Sequence, residues 1–483
     1  MLGIIDFATY IPYYRLPRPA LGEAWQLEPL MPLLIGESAI AGYDEDTITM
    51  GVESAEIALH SHDRQAIEAV YFATTTPPFS EKSSAAVIAA ACDLGARRSL
   101  DVTGSLRAGT SALGLAFDGL RAGAMQHALV VAADNRRPEP GTLLDALSGA
   151  GAAAFVVGAG DEVVAELVGS YHLSDPTLDT WQRPGDSYLR TDDEAFTNQV
   201  GYADLTRRAI QGLLETTGIK PSAIKGVALY TPEGRVYMSF AKKSPLGMAF
   251  MQMGAGGPAP YLLMHAGNLG AAFAPAQLAL LLESAEPDSL IALIGYGDGA
   301  DAFLFRVTEA IRRRAPRRRT ADWIQPKGTL SYTLVQQFRQ NIVDKPIFPP
   351  EVDPWTSLPL LYRERQNLLN FYAQRCTRCG AVWYPNRPNC FDCGAQDGFA
   401  YFRLSGQGTV ASFVAEWAIP TPLPPVGMVT VDTPEGARIT IPSTDGDPRR
   451  TLAVDQPVEF ALRIFHTAKG LPHYGWKVRQ VRG

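Results

Sequence analysis

The chain carries the same plan twice. Ala66–Pro77 (AIEAVYFATTTP) recurs as Ala223–Pro232 (AIKGVALYTP) at an offset of 157 residues, and Arg107–Ala112 (RAGTSA) recurs as His265–Gly270 (HAGNLG) at an offset of 158. Two more pairs follow in the same order, His127–Ala133 with Ser289–Gly295 and Gly149–Val157 with Gly297–Phe305. Solenoid repeats recur every ~20–50 residues, so units this long are half-domains that must pack on each other. Within each copy, short apolar runs alternate with helical patterns, which predicts an α/β domain. The expected halves are 1–165 and 166–308. Between the matched elements, Ser170–Val200 reads as an irregular excursion of the kind that covers active sites. Its Trp181 and Tyr188 either line a substrate passage or simply pack.

The character changes after Val307. A basic run, Arg312–Arg319, opens a proline-punctuated linker expected over 309–354, with Pro326, Pro346, Pro349, Pro350 and Pro354. No aromatic residues interleave that run, and the whole chain has a net charge of −7, so it offers no general field for nucleic acid. Four of the five cysteines follow in the spacing Cys376-x2-Cys379-x10-Cys390-x2-Cys393, each pair followed by glycine. Such paired knuckles close a tetrahedral Zn²⁺ site, and four protein thiolates leave no open position, so the metal is expected to be structural. A helix plus zinc ribbon is expected over 355–398. Strand-like runs at 408–414, 426–431, 437–441 and 458–464, parted by turn residues, predict a small β-barrel over 399–483. No run reaches the ~18 apolar residues of a membrane helix, and the N-terminus lacks the pattern of a secretory signal. A cytoplasmic, non-membrane protein is expected.

The duplicated region resembles the thiolase superfamily, in its branch of hydroxymethylglutaryl-CoA synthase and β-ketoacyl synthase III. The residues that carry this are the duplication, the Gly149–Ala154 hairpin, the Ala266–Gly270 turn and the Gly295–Ala300 run. Residues 355–483 resemble the rubredoxin-like zinc-ribbon plus OB-fold proteins that accompany thiolase-fold enzymes and help hold an acyl-CoA; the cysteine motif followed by Leu404–Phe413 is the signal. The resemblance implies an α/β, duplicated thiolase-like fold, a CoA thioester as substrate and a homodimer.

The catalytic positions that the resemblance points to are altered. The nucleophilic cysteine of the synthases falls on Leu106, their histidine on Tyr230 and their glutamate on Thr75. Their asparagine is kept as Asn268, with His265 three residues before it. Leucine accepts no acyl group, so a covalent acyl-enzyme through this position is excluded. Retro-aldol cleavage of a β-hydroxyacyl-CoA needs only a base and enolate donors. The expected function is therefore a carbon–carbon lyase, with Tyr230, His265, Asn268 and Thr75 as catalytic candidates. Gly295, Gly297, Gly299 and Arg107 are candidates for holding the CoA thioester. A synthase-like condensing enzyme and a non-catalytic acyl-CoA-binding scaffold are the alternatives.

Overall fold

Nine strands make one mixed sheet in the first of two compact units, which spans 1–41, 46–89 and 94–336. A computed structural model describes residues 1–482 apart from 29, 30, 32, 33, 178, 252–256, 315–317, 343–356 and 420. The strands are β1 (Leu2–Tyr10), β2 (Ala69–Ala73), β3 (Arg98–Val102), β4 (His127–Asn135), β5 (Ala150–Ala159), β6 (Ala165–Ser174), β7 (Ile224–Leu229), β8 (Leu290–Tyr296) and β9 (Gly299–Val307). Their order is β7-β8-β9-β6-β1-β5-β4-β2-β3.

That order is the duplication made visible. Read outward from the centre, β1-β5-β4-β2 mirrors β6-β9-β8-β7, and the directions match pair for pair. The β4–β5 and β8–β9 pairs are antiparallel hairpin partners, while β2–β4 and β7–β8 are parallel. The halves join through a short antiparallel contact of β1 with β6, Gly3 opposite Glu166 and Ile4 opposite Ala165. β3 is an extra edge strand of the first half.

The central strands are buried on both faces, so they read as continuous apolar runs rather than alternating ones. Every residue of β8 is buried. Helices cover the sheet: α1 (Thr47–Ala58), α2 (Ala108–Arg121), α3 (Asp204–Thr217), α4 (Pro258–His265) and α5 (Phe273–Leu282). α1 starts in a capping box, in which the Asp46 carboxylate accepts from the Thr49 N–H and the Thr49 hydroxyl accepts from the Asp46 N–H. α5 is buried along its whole length, which explains why it is apolar all round.

The second unit comprises 337–482 with the short segments 42–45 and 90–93. Its strands are β10 (Tyr372–Cys376), β11 (Val382–Trp383), β12 (Phe399–Arg403), β13 (Gln407–Glu416), β14 (Val426–Asp432), β15 (Arg438–Pro442), β16 (Pro457–Ala468) and β17 (Leu471–Gln480). The first three form a small sheet around the cysteines, and the last five an antiparallel sheet in the order β15-β14-β13-β16-β17. Its ends approach each other, since Ser443, just past β15, bridges to Val478 of β17. The result is barrel-like. Residues 315–317 of the basic run and the prolines at 346, 349, 350 and 354 lie outside the described residues. Among the described residues, no helix is long and apolar enough to cross a membrane.

Candidate active site

The C-terminal ends of β2, β4, β7 and β8 deliver the site, as expected of strands in an α/β sheet. Asp134, fully buried near the end of β4, is the hub. Its carboxylate accepts from the Thr74 hydroxyl (2.9 Å), the Thr75 N–H (2.7 Å), the Thr75 hydroxyl (2.8 Å), the Thr76 hydroxyl (3.1 Å) and the Ala271 N–H (2.8 Å). One side chain thus ties the strand-end turn of the first half to the Asn268–Ala271 turn of the second. Gly270 makes this possible. It has φ +57°, and a Cβ there would lie 2.1 Å from Asp134 Oδ2.

A cavity of about 130 Å³ opens above this hub, lined by Thr75, Leu106, Arg136, Asp179, Trp181 and Gly297 among others. Leu106 sits at the turn into α2, only 8% exposed. The loop after β8 presses on that turn: a Cβ on Gly297 (φ +144°) would stand 2.6 Å from Ser105 Oγ and 2.9 Å from Leu106 N.

Two charged groups of this cavity, Arg136 and Asp179, were not singled out by the sequence. Arg136, the first residue after β4, is 5% exposed and donates to the Thr180 hydroxyl at 3.0 Å. Asp179, partly buried in the excursion, has its pKa raised above the ordinary 3.8: burial is the main cause, with Asp298 and Glu194 adding repulsion against the opposing effects of Arg136 and the Tyr296 hydroxyl. Nothing in the spacing of Arg136 or Asp179 marked them. The excursion and the Arg136–Arg137 pair at a strand end were the available signals.

The expected residues are placed as follows. Thr75 lines the cavity, but its hydroxyl hydrogen is given to Asp134. Tyr230 is 4% exposed, packed at 6.0 Å on Tyr296 and edge-on to Phe273. Burial pushes its phenol up to about 12, a poor proton carrier at neutral pH. Asn268 donates to the Thr231 carbonyl at 3.0 Å and accepts from the Gly270 N–H at 2.9 Å, so its amide holds the turn. Of the three glycines, Gly297 lines the cavity, whereas Gly295 packs against Thr110 and Gly299 against the Leu173 carbonyl. Arg107 donates to the Leu173 carbonyl at 2.8 Å and pairs with Asp301 at 3.5 Å.

His265 lies apart from this cavity. It ends α4 beside Tyr261, with Glu37, Lys327 and Arg15 as its charged surroundings and its pKa lowered chiefly by burial. None of these lines the cavity. Asn268 lies in the turn that also carries Ala271, the hub's partner, while His265 ends the helix before that turn.

No protein-family model matches the chain. It is 31% identical over 353 residues to the hydroxymethylglutaryl-CoA synthase of Methanocaldococcus jannaschii, spanning 71% of this chain and 99% of that protein. Against the hydroxymethylglutaryl-CoA synthase of Pyrococcus furiosus the identity is also 31%, over 71% of this chain and 97% of the relative. The chain belongs to the hydroxymethylglutaryl-CoA synthase family. The solved structures agree on the fold. A hydroxymethylglutaryl-CoA synthase complexed with CoA matches with a TM-score of 0.61 at 19% identity, over 70% of this chain and 89% of that one. The 3-oxoacyl-[acyl-carrier-protein] synthase III of Aquifex aeolicus matches at 0.54 and 20%, over 63% and 100%. The fold of this family member is therefore thiolase-like.

In the second unit, the four cysteines form one cluster. Their sulfurs all lie within 4.8 Å of one another, with Cys376 to Cys393 at 3.7 Å and Cys379 to Cys390 at 3.5 Å, and no disulfide joins them. Each knuckle turns through a backbone bond, Gly380 N–H to the Cys376 carbonyl and Gly394 N–H to the Cys390 carbonyl. Four sulfurs around an ion at ~2.3 Å stand about 3.8 Å apart, so the donor set fits one tetrahedral metal.

Proposed function

We propose that the chain is a condensing enzyme that adds the enolate of an acyl-CoA to a carbonyl acceptor without forming an acyl-enzyme. The observation that carries this reading is Leu106, the position the resemblance matches to the synthases' cysteine, in a cavity that presents a carboxylate, Asp179, and a buried cation, Arg136. The lyase expected from the lost nucleophile finds no support in the comparisons, whose named relatives are synthases. Condensation takes its place.

The chemistry balances within the site. Asp179 removes a proton from the carbon next to the thioester; a carboxylate whose proton affinity is raised by burial is the better base for this. Arg136, held by Thr180, donates to the thioester oxygen as it becomes an enolate oxygen. The nucleophilic carbon then attacks the acceptor carbonyl, and the resulting alkoxide takes the proton back from Asp179. The thioester survives, giving a β-hydroxyacyl-CoA with no water consumed.

Exchange in deuterium oxide tests the reading. Acetyl-CoA or propionyl-CoA incubated with the protein should gain deuterium at the α-carbon, seen by mass spectrometry, and Arg136→Met should slow this by about 10²–10³-fold. The native protein should show no acyl adduct after incubation with acetyl-CoA, whereas Leu106→Cys places a thiol at a helix N-terminus, where it is acidified, and should become acylated. Acyl-CoA that binds but never exchanges would sink the reading and leave an acyl-CoA-binding scaffold.

Zinc is assigned to the cysteine cluster as a structural ion, held by Cys376, Cys379, Cys390 and Cys393. The barrel-like sheet beside it is read as an OB-fold, and the assembly as a homodimer. Both follow the resemblance to acyl-CoA-associated modules and thiolase-fold dimers.

A further inference from the structure

The reaction cavity does not end at Asp179. A larger chamber of about 780 Å³, half open to solvent, shares Trp181 and Leu189 with it. A narrow space of about 60 Å³, reached at Asp179 and Thr180, shares Leu143, Leu144 and Glu194 with that chamber. The walls are thus continuous from the proposed base to a volume in the 300–1,000 Å³ range of small-molecule pockets. A donor acyl group needs only the first cavity, so the chamber is available to the other substrate.

Its lining says what that substrate is. Leu143, Leu144, Trp181 and Tyr188 supply apolar and aromatic surface. The charges are Glu139, Asp186, Asp192 and Glu194 against one described cation, Arg190. Arg190 is already held by Asp186 at 3.1 Å, and Asp186 is kept ionised, its pKa drawn down to about 2 by Arg183. Glu139, Asp192 and Glu194 make no ion pair among the described residues. A phosphate-bearing CoA or a carboxylate would enter against this field, and the chamber's one described cation is already held.

We propose that the chamber takes the carbonyl acceptor as an aromatic aldehyde or ketone that carries no negative charge, not as a second CoA thioester. This rests on the condensing reading above. The new bond joins the donor α-carbon to the acceptor carbonyl carbon, and the acceptor oxygen receives the proton from Asp179.

The test uses acetyl-CoA and propionyl-CoA as donors with the full-length protein, and four acceptors: benzaldehyde, its para-trimethylammonio derivative, para-formylbenzoate and acetoacetyl-CoA. The aromatic three are one shape carrying zero, positive and negative charge. Mass spectrometry of the β-hydroxyacyl-CoA products, with deuterium uptake by the donor followed separately, reads both questions. Benzaldehyde and the cation should condense with kcat/KM at least about tenfold above para-formylbenzoate, and acetoacetyl-CoA should give no product. In a combined Glu139→Gln, Asp192→Asn, Glu194→Gln variant the ratio of neutral to anionic acceptor should fall towards one. Deuterium uptake with condensation only onto acetoacetyl-CoA, with para-formylbenzoate preferred, or with no aromatic acceptor at all, overturns the acceptor proposal and leaves the enolising site standing. Absence of deuterium uptake overturns both.

Discussion

Asp179 binds its proton more tightly in the folded chain than in the unfolded one, because folding takes its carboxylate out of water among other acids. For a carboxyl group with a raised folded pKa, the contribution to stability is greatest below the unfolded value and is lost as pH rises through the folded one. Asp179→Asn should therefore raise the melting temperature at neutral pH, with the gain vanishing below pH 3.8, the ordinary value for this group. The same variant should lower α-deuterium exchange by about 10²–10⁴-fold, the usual scale for a lost general base. Native exchange should decline as pH falls through the raised pKa. Thermal melts and exchange rates over one pH series check both, and a variant that is destabilised at neutral pH would contradict the assignment. Leu106 and Thr75, which line the cavity, could be singled out in the sequence because each sits in a local motif. Asp179 and Arg136 were not, because the excursion and a strand end meet only in three dimensions.

The elements meet at one carboxylate. Asp134→Ala would leave five donors from two turns without their acceptor, so it should cost roughly 3–5 kcal/mol in urea unfolding. An unchanged urea midpoint would mean that water replaces the hub. In the second unit, the knuckles predict one zinc per chain by elemental analysis; Cys379→Ser or a strong chelator should release it and lower the melting temperature of that unit, since metal binding free energy is folding free energy in such small ribbons. Strand pairing explains what could be read at this scale. The duplication was legible because buried strands and their hairpin glycines repeat in sequence, whereas the strand order β1-β5-β4-β2 and β6-β9-β8-β7 came only with the fold. The hydrogen-bond roles of Asn268 and Thr75 were not legible, because each looks like a reactive group until its partner, the Thr231 carbonyl or Asp134, is in place.

At the scale of the whole molecule, β3 offers an edge at which a second copy could pair. It ends the nine-stranded sheet with one side unpaired by any described strand, and it carries Leu100 at 43% exposure. Leu115 of α2 is exposed as well, at 47%. An open edge with an exposed apolar side chain is an aggregation hazard unless something covers it, and the charges that β3 carries, Arg98 and Asp101, leave Leu100 exposed. A second copy placed edge to edge would extend the sheet and bury Leu100 on both sides of a twofold axis. The protein should thus run as a dimer in light scattering after size exclusion, and Leu100→Lys, which sets two like charges across that axis, should shift it to monomer while its far-ultraviolet circular dichroism is retained. A native protein that stays monomeric at micromolar concentration would show that the edge is protected in some other way, and would remove the dimer from the proposed function while leaving the chemistry of each chain as argued.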